Sequence, residues 1–459
     1  MLNIRGTANF AGGGLTRRTL LRAGTLGLTG LTLADLLRAR AEGGVGKRGD
    51  DEPSVILVWL DGGPPQHETY DPKPDAPAEI RGPIGSIPTA VPGARISELL
   101  PRHAAILDKV SLLRAVHHDN NDHFTAAHWM LTGYPGPNGA DTTPVNPSFG
   151  SIISKIKGTK RPGMPTYVGL PNTHSVGLPI GYHGAAYLGR TFDPFTADGD
   201  PNNDAYRVAA LELPAGVDAA RLGARKNLLS RFDAARAGAD RIAAGVDLDR
   251  FQTAALDMIS GPDARAAFDL SREPATLRDR YGRHPWGQSA LLARRLVEAG
   301  VRFVTLTFGG WDWHASIEKG MHNVLPVLDA AVATLIQDLH QRGLLETTIV
   351  LVMGEFGRSP RLNQGLPYDP IPGRDHHGQV MSVLAAGGGF PGGQIIGASD
   401  SNAAYPSERA VRPPDIIATI YSRLGIDPDT AFLDRTGRPI TIGSTGLPIP
   451  ELIGGAATA

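Results

Sequence analysis

The 459-residue chain contains no cysteine. That absence removes any disulfide framework, any thiolate nucleophile and any cysteine-based zinc site, so a metal would have to rest on His, Asp and Glu. Neither sign of charge is in excess: 45 Lys and Arg face 46 Asp and Glu, for a formal net charge of −1. Such a balance gives no electrostatic footprint for nucleic acid or another polyanion. A membrane-spanning run is missing too, because the apolar stretch "TLGLTGLTLADLL" (25–37) is diluted by Gly and Thr and broken by Asp35. Against these absences stand 57 Gly and 37 Pro, which imply many turns and loops, and 41% hydrophobic residues, which suit a globular chain with ample core. An enzyme whose sheet carries long strand-end loops has this composition.

The apolar stretch follows "TRRTLLRAG" (16–24), with the pair Arg17-Arg18, and ends near "ARA" (39–41), a small-x-small cleavage pattern. Residues 1–41 therefore read as a twin-arginine export signal, which predicts a partner in the twin-arginine machinery, a periplasmic or otherwise exported location, and no span in the mature chain. Residues 42–53 read as a linker, 54–447 as one α/β domain, and 448–459 as a tail. Within the domain, "SVILVWLDGG" from Ser54 is a continuous apolar run stopped by Asp-Gly-Gly, the pattern of a buried parallel strand. A helix over Ser97–Leu107, the strand "VSLLRAV" and a helix reaching Leu131 follow. Residues 201–300 read as a helical insertion, being rich in Ala, Arg and Leu with helical periodicity. The sheet resumes with "VRFVTLTFGGWDWH" and a helix whose stripe is Val324, Leu328, Ala331, Leu335 and Leu339, stopped by Gly343. The strands "TTIVLVMGEFGR" and "VMSVLAAGG" and a helix near "PPDIIATIYSRLG" close the pattern. Alternating strands and helices of this kind predict a doubly wound, mostly parallel sheet with helices on both faces.

Strand after strand runs into ligand-type side chains. Asp61 follows "VILVWL", His117 to His123 follow "SLLRAV", Asp312 and His314 follow "VTLTFGGW", Glu355 follows "IVLVMG", and Asp375, His376 and His377 precede "VMSVLAA". Ligands of open α/β sheets bind outside the carboxyl ends of the strands, so these motifs are expected to converge, the last less securely because it enters its strand. Carboxylate and imidazole suit divalent metals, and residues two apart on an extended segment share a face. A lone Asp after a strand is usually a turn former, and a lone His pair is usually surface; the recurrence is the signal. Arg358 is a candidate oxyanion clamp or an equally good structural ion pair. His67, Glu68 and Thr69, just past Asp61, either line the pocket or belong to a Pro-rich turn, and His128 and Trp129 read as packing residues. Arg374 is placed to neutralise its neighbour Asp375.

The stretch "ARISELLPRHAAILDKVSLLRAVHHDNNDHFTAAHWMLTGYPGP" resembles the part of sulfatases and other alkaline-phosphatase-superfamily hydrolases where a strand and a nucleophile loop lead into a helix ending Leu-Thr-Gly. With "GGWDWH", "MGEFGRSPR" and "GRDHHGQ", it resembles more closely the exported domain-of-unknown-function 1501 family of that superfamily. The resemblance implies an alkaline-phosphatase-like fold. It puts Asp61 at the first-strand metal aspartate, Asp312 and His314 at an Asp/His ligand pair, Glu355 at a late-strand acid, and His376 or His377 at the last ligand histidine, with Asp375 beside it. Aligned on Leu131-Thr132-Gly133, His123 takes the nucleophile position and Ala127 the position of an expected Arg, while Phe356 replaces an expected ligand.

These departures exclude formylglycine sulfatase chemistry, which needs Cys or Ser at the nucleophile position, and a Ser/Thr phosphatase, since Thr125 lies two residues late. The resulting expectation is an exported metal-dependent hydrolase of a phosphate- or sulfate-type ester, small or polymeric. His123 is then nucleophile, base or ligand, and Asp122 orients it or binds metal. The cofactor is one or two divalent ions of the zinc, calcium, magnesium or manganese kind, with Phe356 favouring one. The alternative is a metal-stabilised binding or cell-envelope protein that keeps the fold without the reaction.

Overall fold

A computed structural model of the chain describes residues 52–137, 141–212 and 261–454, together with Arg221 and Met258. The export-signal and linker readings lie outside the described residues up to position 51, as do most of 213–260 and the last five residues. The strand nearest the centre, β1 (Ser54–Asp61), is buried at every residue except its last. Its side chains alternate between two cores. Ile56, Val58 and Leu60 enter one apolar cluster, while Val55, Leu57 and Trp59 enter the other. A strand sandwiched in this way must be apolar on both faces, which is why the sequence shows a continuous run rather than an alternation.

Seven further strands complete the main sheet: β2 (Val110–Val116), β3 (Tyr167–Leu170), β4 (Phe195–Thr196), β5 (Phe303–Gly309), β6 (Thr348–Met353), β7 (Met381–Ala386) and β8 (Gln394–Ile396). Their order is β8-β2-β7-β6-β1-β5-β3-β4. All neighbours are parallel except that β7 is antiparallel to both β6 and β2. The sequence patterns mark β1, β2, β5, β6 and β7; the other three strands, of two to four residues, are too short to leave a period.

Helices cover both faces. On one lie α1 (His123–Thr132), α2 (Phe149–Lys157) and α7 (Pro413–Arg423), which contribute Leu131, Ile153 and Ile420 to the Trp59 cluster. On the other lie α5 (Pro285–Glu298) and α6 (Ile317–Gln341), which contribute Leu292 and Leu335 to the Val58 cluster. The fold is therefore α/β, with a large, mainly parallel central sheet between two helical layers. The α6 stripe holds as expected: Leu328, Ala331, Leu335 and Leu339 are buried and Val324 packs at the margin.

Two expectations change. Instead of one helix over 97–107, Ile96 joins the hairpin strand Arg95–Ser97, and the helix is confined to Pro101–Ala105. Pro101 is the cause, because its ring suits the first helical position and no later one. Of the 201–300 stretch, the described part begins irregularly, with a single 3-10 turn at Ala209–Leu211, and continues with the short helices α3 (Pro262–Phe268) and α4 (Ala275–Tyr281). α5, with Leu291, Leu292 and Leu296 fully buried, is a layer helix of the sheet itself rather than an addition to it. Among the described residues no helix is long and apolar enough to cross a membrane.

Candidate metal centre

The direction of β7 brings the centre together. Because it runs against β2, with Met381 opposite Val116, the loop entering β7 opens at the edge where β1, β2, β5 and β6 end. The segment His376–His377 then pairs antiparallel with Gly357–Arg358, just past β6.

Three side chains form a tight triangle at that edge. His314 Nε2 lies 3.0 Å and His376 Nε2 3.1 Å from Asp312 Oδ1, and the two Nε2 atoms are 2.9 Å apart. Their tautomers follow from what stands behind them. His376 Nδ1 is 2.9 Å from the Asn121 carbonyl oxygen, which only accepts, so Nδ1 carries the hydrogen. His314 Nδ1 is 2.8 Å from Asp375 Oδ1, a carboxylate, with the same consequence. In the neutral rings both Nε2 lone pairs thus face each other and a carboxylate oxygen. Lone pairs at that separation repel unless a cation stands among them, and imidazoles backed by a carboxylate or carbonyl in this way are the common form of metal-ligating histidine. Two imidazoles and one carboxylate fit a divalent ion with a position left open.

His123 borders the triangle. Its ring centroid is 4.3 Å from that of His376, its Nε2 is 3.4 Å from Asp312 Oδ2, and ligand atoms of His123, Asp312 and His376 all lie within 4.8 Å of one another. Its Nδ1 is 2.7 Å from Oε1 of Glu355, which also accepts the Gly62 N–H at 2.9 Å. Glu355 is fully buried, and its Oε2 has no hydrogen-bond partner. Burial, with help from the Asp61 charge, raises the Glu355 carboxyl above its ordinary range against the pull of His123. For His123 burial works against protonation, but the bonds to Asp312 and Glu355 outweigh it and raise the imidazole to about 9. Asp312 moves the other way, since burial is overcome by His123, His376 and the Arg358 guanidinium, which hold it well below the carboxylate range. Phe356, fully buried, floors the site with its ring 4.9 Å from His123 and 4.4 Å from His376. Gly63, at φ +80°, lets that ring come so close that a Cβ there would fall 2.4 Å from it.

Residues 52–453 match the family described as "Protein of unknown function (DUF1501)". The chain belongs to this family. Solved structures similar to it include the PsFucS1 sulfatase from Pseudoalteromonas sp., at 14% identity over 82% of this chain and 68% of that one, with a TM-score of 0.37. The phosphonate monoester hydrolase SpPMH from Silicibacter pomeroyi is similar at 12% identity, over 89% and 78%, with a TM-score of 0.37. A TAB5 alkaline phosphatase mutant with Mg bound is similar at 14% identity, over 82% and 99%, with a TM-score of 0.36. No curated protein matches.

In this DUF1501 member the other candidates support or flank the triangle without joining it. Arg358, expected as an oxyanion clamp, is 1% exposed, and its guanidinium is taken up by the Gly62, Gly63 and Arg374 carbonyls and by Asp312 Oδ1 at 2.7 Å. It orients Asp312, and its burial keeps it from an incoming anion. Asp375 stands behind His314 rather than beside it at the centre. His377 turns away, its Nε2 bonded at 2.6 Å to the Ala404 carbonyl, because adjacent residues of an extended segment point to opposite sides. Asp122 caps α1 through the Thr125 N–H at 3.0 Å instead of orienting His123. Asp61 Oδ1 accepts from Val176 N at 2.6 Å and Trp59 Nε1 at 2.9 Å, so it flanks Glu355 without joining the triangle.

Among the lesser candidates, Thr125 Oγ1 donates to the Pro137 carbonyl at 2.7 Å. His118 bonds the Glu355 carbonyl at 2.7 Å, and buried His128 bridges Tyr134 O and Asn146 N. Arg374 neutralises Glu68, not Asp375. Sequence reading missed Asn121, Asn363 and the Gly62 N–H. Two of these act through the main chain, which leaves no side-chain signal, and Asn363 sits in a loop with no periodicity.

Proposed function

We propose that this chain is an exported, metal-dependent hydrolase of a phosphate- or sulfate-type ester. The observation that carries the reading is the pair of Nε2 atoms facing each other and the Asp312 carboxylate, with His123 at the open side. A divalent ion held by Asp312, His314 and His376 would polarise a non-bridging oxygen of the ester. His123 begins α1, where the helix dipole favours an anionic group. With Nδ1 anchored on Glu355, its Nε2 side faces the centre, and it becomes the protein group positioned to attack or to take a proton once a bound cation offsets the carboxylates that otherwise keep it protonated. Two imidazoles and a single carboxylate favour a borderline ion of the zinc class over calcium or magnesium, whose sites are built from oxygen.

A second reading, a metal-stabilised binding or cell-envelope protein, draws support from Thr125, whose hydroxyl is turned into the protein and so is not presented as a nucleophile. Metal analysis of exported protein, paired with a panel of phosphate mono- and diesters and sulfate esters, separates the two. Bound metal with turnover that falls roughly 10²–10⁴-fold in His123→Ala supports the hydrolase. Metal without turnover of any ester supports the second reading, and a metal-free protein that binds none on titration sinks both.

A further inference from the structure

Beyond the triangle, the loop that leaves β6 carries an asparagine whose bonds all serve the centre. Asn363 Nδ2 donates to the His314 carbonyl at 2.9 Å and to Asp375 Oδ1 at 3.0 Å. Its Oδ1 accepts the N–H groups of Gly365 and Gly373, both at 2.8 Å. Its own N–H donates to the Gly373 carbonyl at 3.0 Å. One side chain thus ties the loop after β6 to the segment entering β7, and grips His314 from two directions, through its main chain and through the carboxylate behind its ring. The same loop supplies Ser359, whose hydroxyl accepts the Asp375 N–H at 3.0 Å, and Arg358, which sets Asp312.

Asp375 is more than half exposed at its side chain, so without a fixed neighbour it would be free to swing away from His314. An imidazole that loses its Nδ1–H acceptor can exchange tautomers and put the hydrogen on Nε2, which removes a ligand. We propose that Asn363 is the positioning residue of the centre. It locks Asp375 onto His314 Nδ1, and so holds His314 Nε2 as an unprotonated donor beside Asp312 and His376. The inference rests on the metal-centre reading above and adds to it the residue that makes the third donor available.

Asn363→Asp is the discriminating variant. It keeps an oxygen for the Gly365 and Gly373 N–H groups, so the loop retains its turn, but it replaces the amide donor with a second carboxylate facing Asp375. Asn363→Leu removes both functions. Zinc affinity measured by calorimetry on the full exported chain is expected to fall about 10–100-fold in Asn363→Asp. Its melting temperature without metal is expected to stay within about 4 °C of wild type. Imidazole 15N–1H spectra should show His314 moving from a single Nδ1–H tautomer to a mixture, with His376 unchanged. A further signature is the cobalt(II) absorption spectrum, which should shift in Asn363→Asp and shift more in Asn363→Leu. Wild-type zinc affinity together with an unchanged His314 tautomer in Asn363→Asp would overturn the positioning role while leaving the metal centre standing. A wild-type chain that binds neither zinc nor cobalt would overturn both.

Discussion

Glu68 and Glu355 are both wholly buried, and they are treated in opposite ways. Glu68 faces Arg374, whose Nε and Nη2 reach its two oxygens at 2.7–3.0 Å, and the remaining guanidinium hydrogens go to the carbonyls of Ile80, Ser359 and Pro360. Each charge there has a fixed opposite and each donor an acceptor. Glu355 has only the Gly62 N–H and the ring of His123, and one of its oxygens has nothing. The first arrangement ties the loop after β1 to the segment entering β7 and stays closed. The second keeps an acid raised in pKa by burial beside an imidazole that opens onto the triangle. An unpaired buried carboxylate oxygen carries a desolvation cost, and this one lies beside the triangle.

The largest expected effect of a single substitution comes from breaking the closed pair. Arg374→Met leaves the Glu68 charge buried without its partner and should lower unfolding free energy by about 3–5 kcal/mol, read from urea denaturation. A loss under about 1 kcal/mol would mean that Glu68 is not held as a charged partner. Next is the metal. Zinc at a hundred times its dissociation constant should add about 2.7 kcal/mol to wild type and nothing to Asp312→Asn, measured as a shift in the same transition.

Acid should then act on histidines that lie away from the triangle. Burial lowers His183 to about 3 and His118 and His128 to about 4. Each has a folded pKa below its unfolded value near 6.5, so above pH 6.5 its stabilisation is fully present. As pH falls from there the unfolded chain binds protons that the folded chain refuses. Metal-free protein should therefore lose about 1.4 kcal/mol per pH unit for each of these rings between pH 6.5 and about 4. His183→Phe should shallow that slope, and a flat profile would show that these rings take protons while folded.

The smallest effect is the sharpest contrast. Glu355→Gln replaces a carboxyl that burial already raises and keeps an oxygen for the Gly62 N–H and His123, so unfolding free energy should stay within about 1 kcal/mol of wild type while any ester turnover falls. A destabilisation as large as that of Arg374→Met would erase the distinction between the two glutamates.

Much of this was legible along the chain. Apolar runs named the five longest strands, and ligand-type residues at their ends named a wider set of candidates that includes the three of the triangle, because both signals come from consecutive residues and depend on burial and polarity alone. Less legible were the roles within the cluster. Nothing in "GRDHHGQ" distinguishes His376 from His377, and the choice is made by which face of a two-residue pairing looks toward Asp312. Arg358 reads as a clamp or a structural ion pair until it is seen sealed by carbonyls.

Sequence by itself determined a cysteine-free α/β chain of the DUF1501 family with carboxylates and imidazoles gathered at strand ends. Tertiary structure decided that β7 runs antiparallel, and so delivers His376 to the edge where Asp312 and His314 wait. It decided too that one buried glutamate is closed by Arg374 and the other left open. Strand direction and charge pairing join residues 60 to 310 positions apart, and their free energies depend on distances that no local pattern encodes.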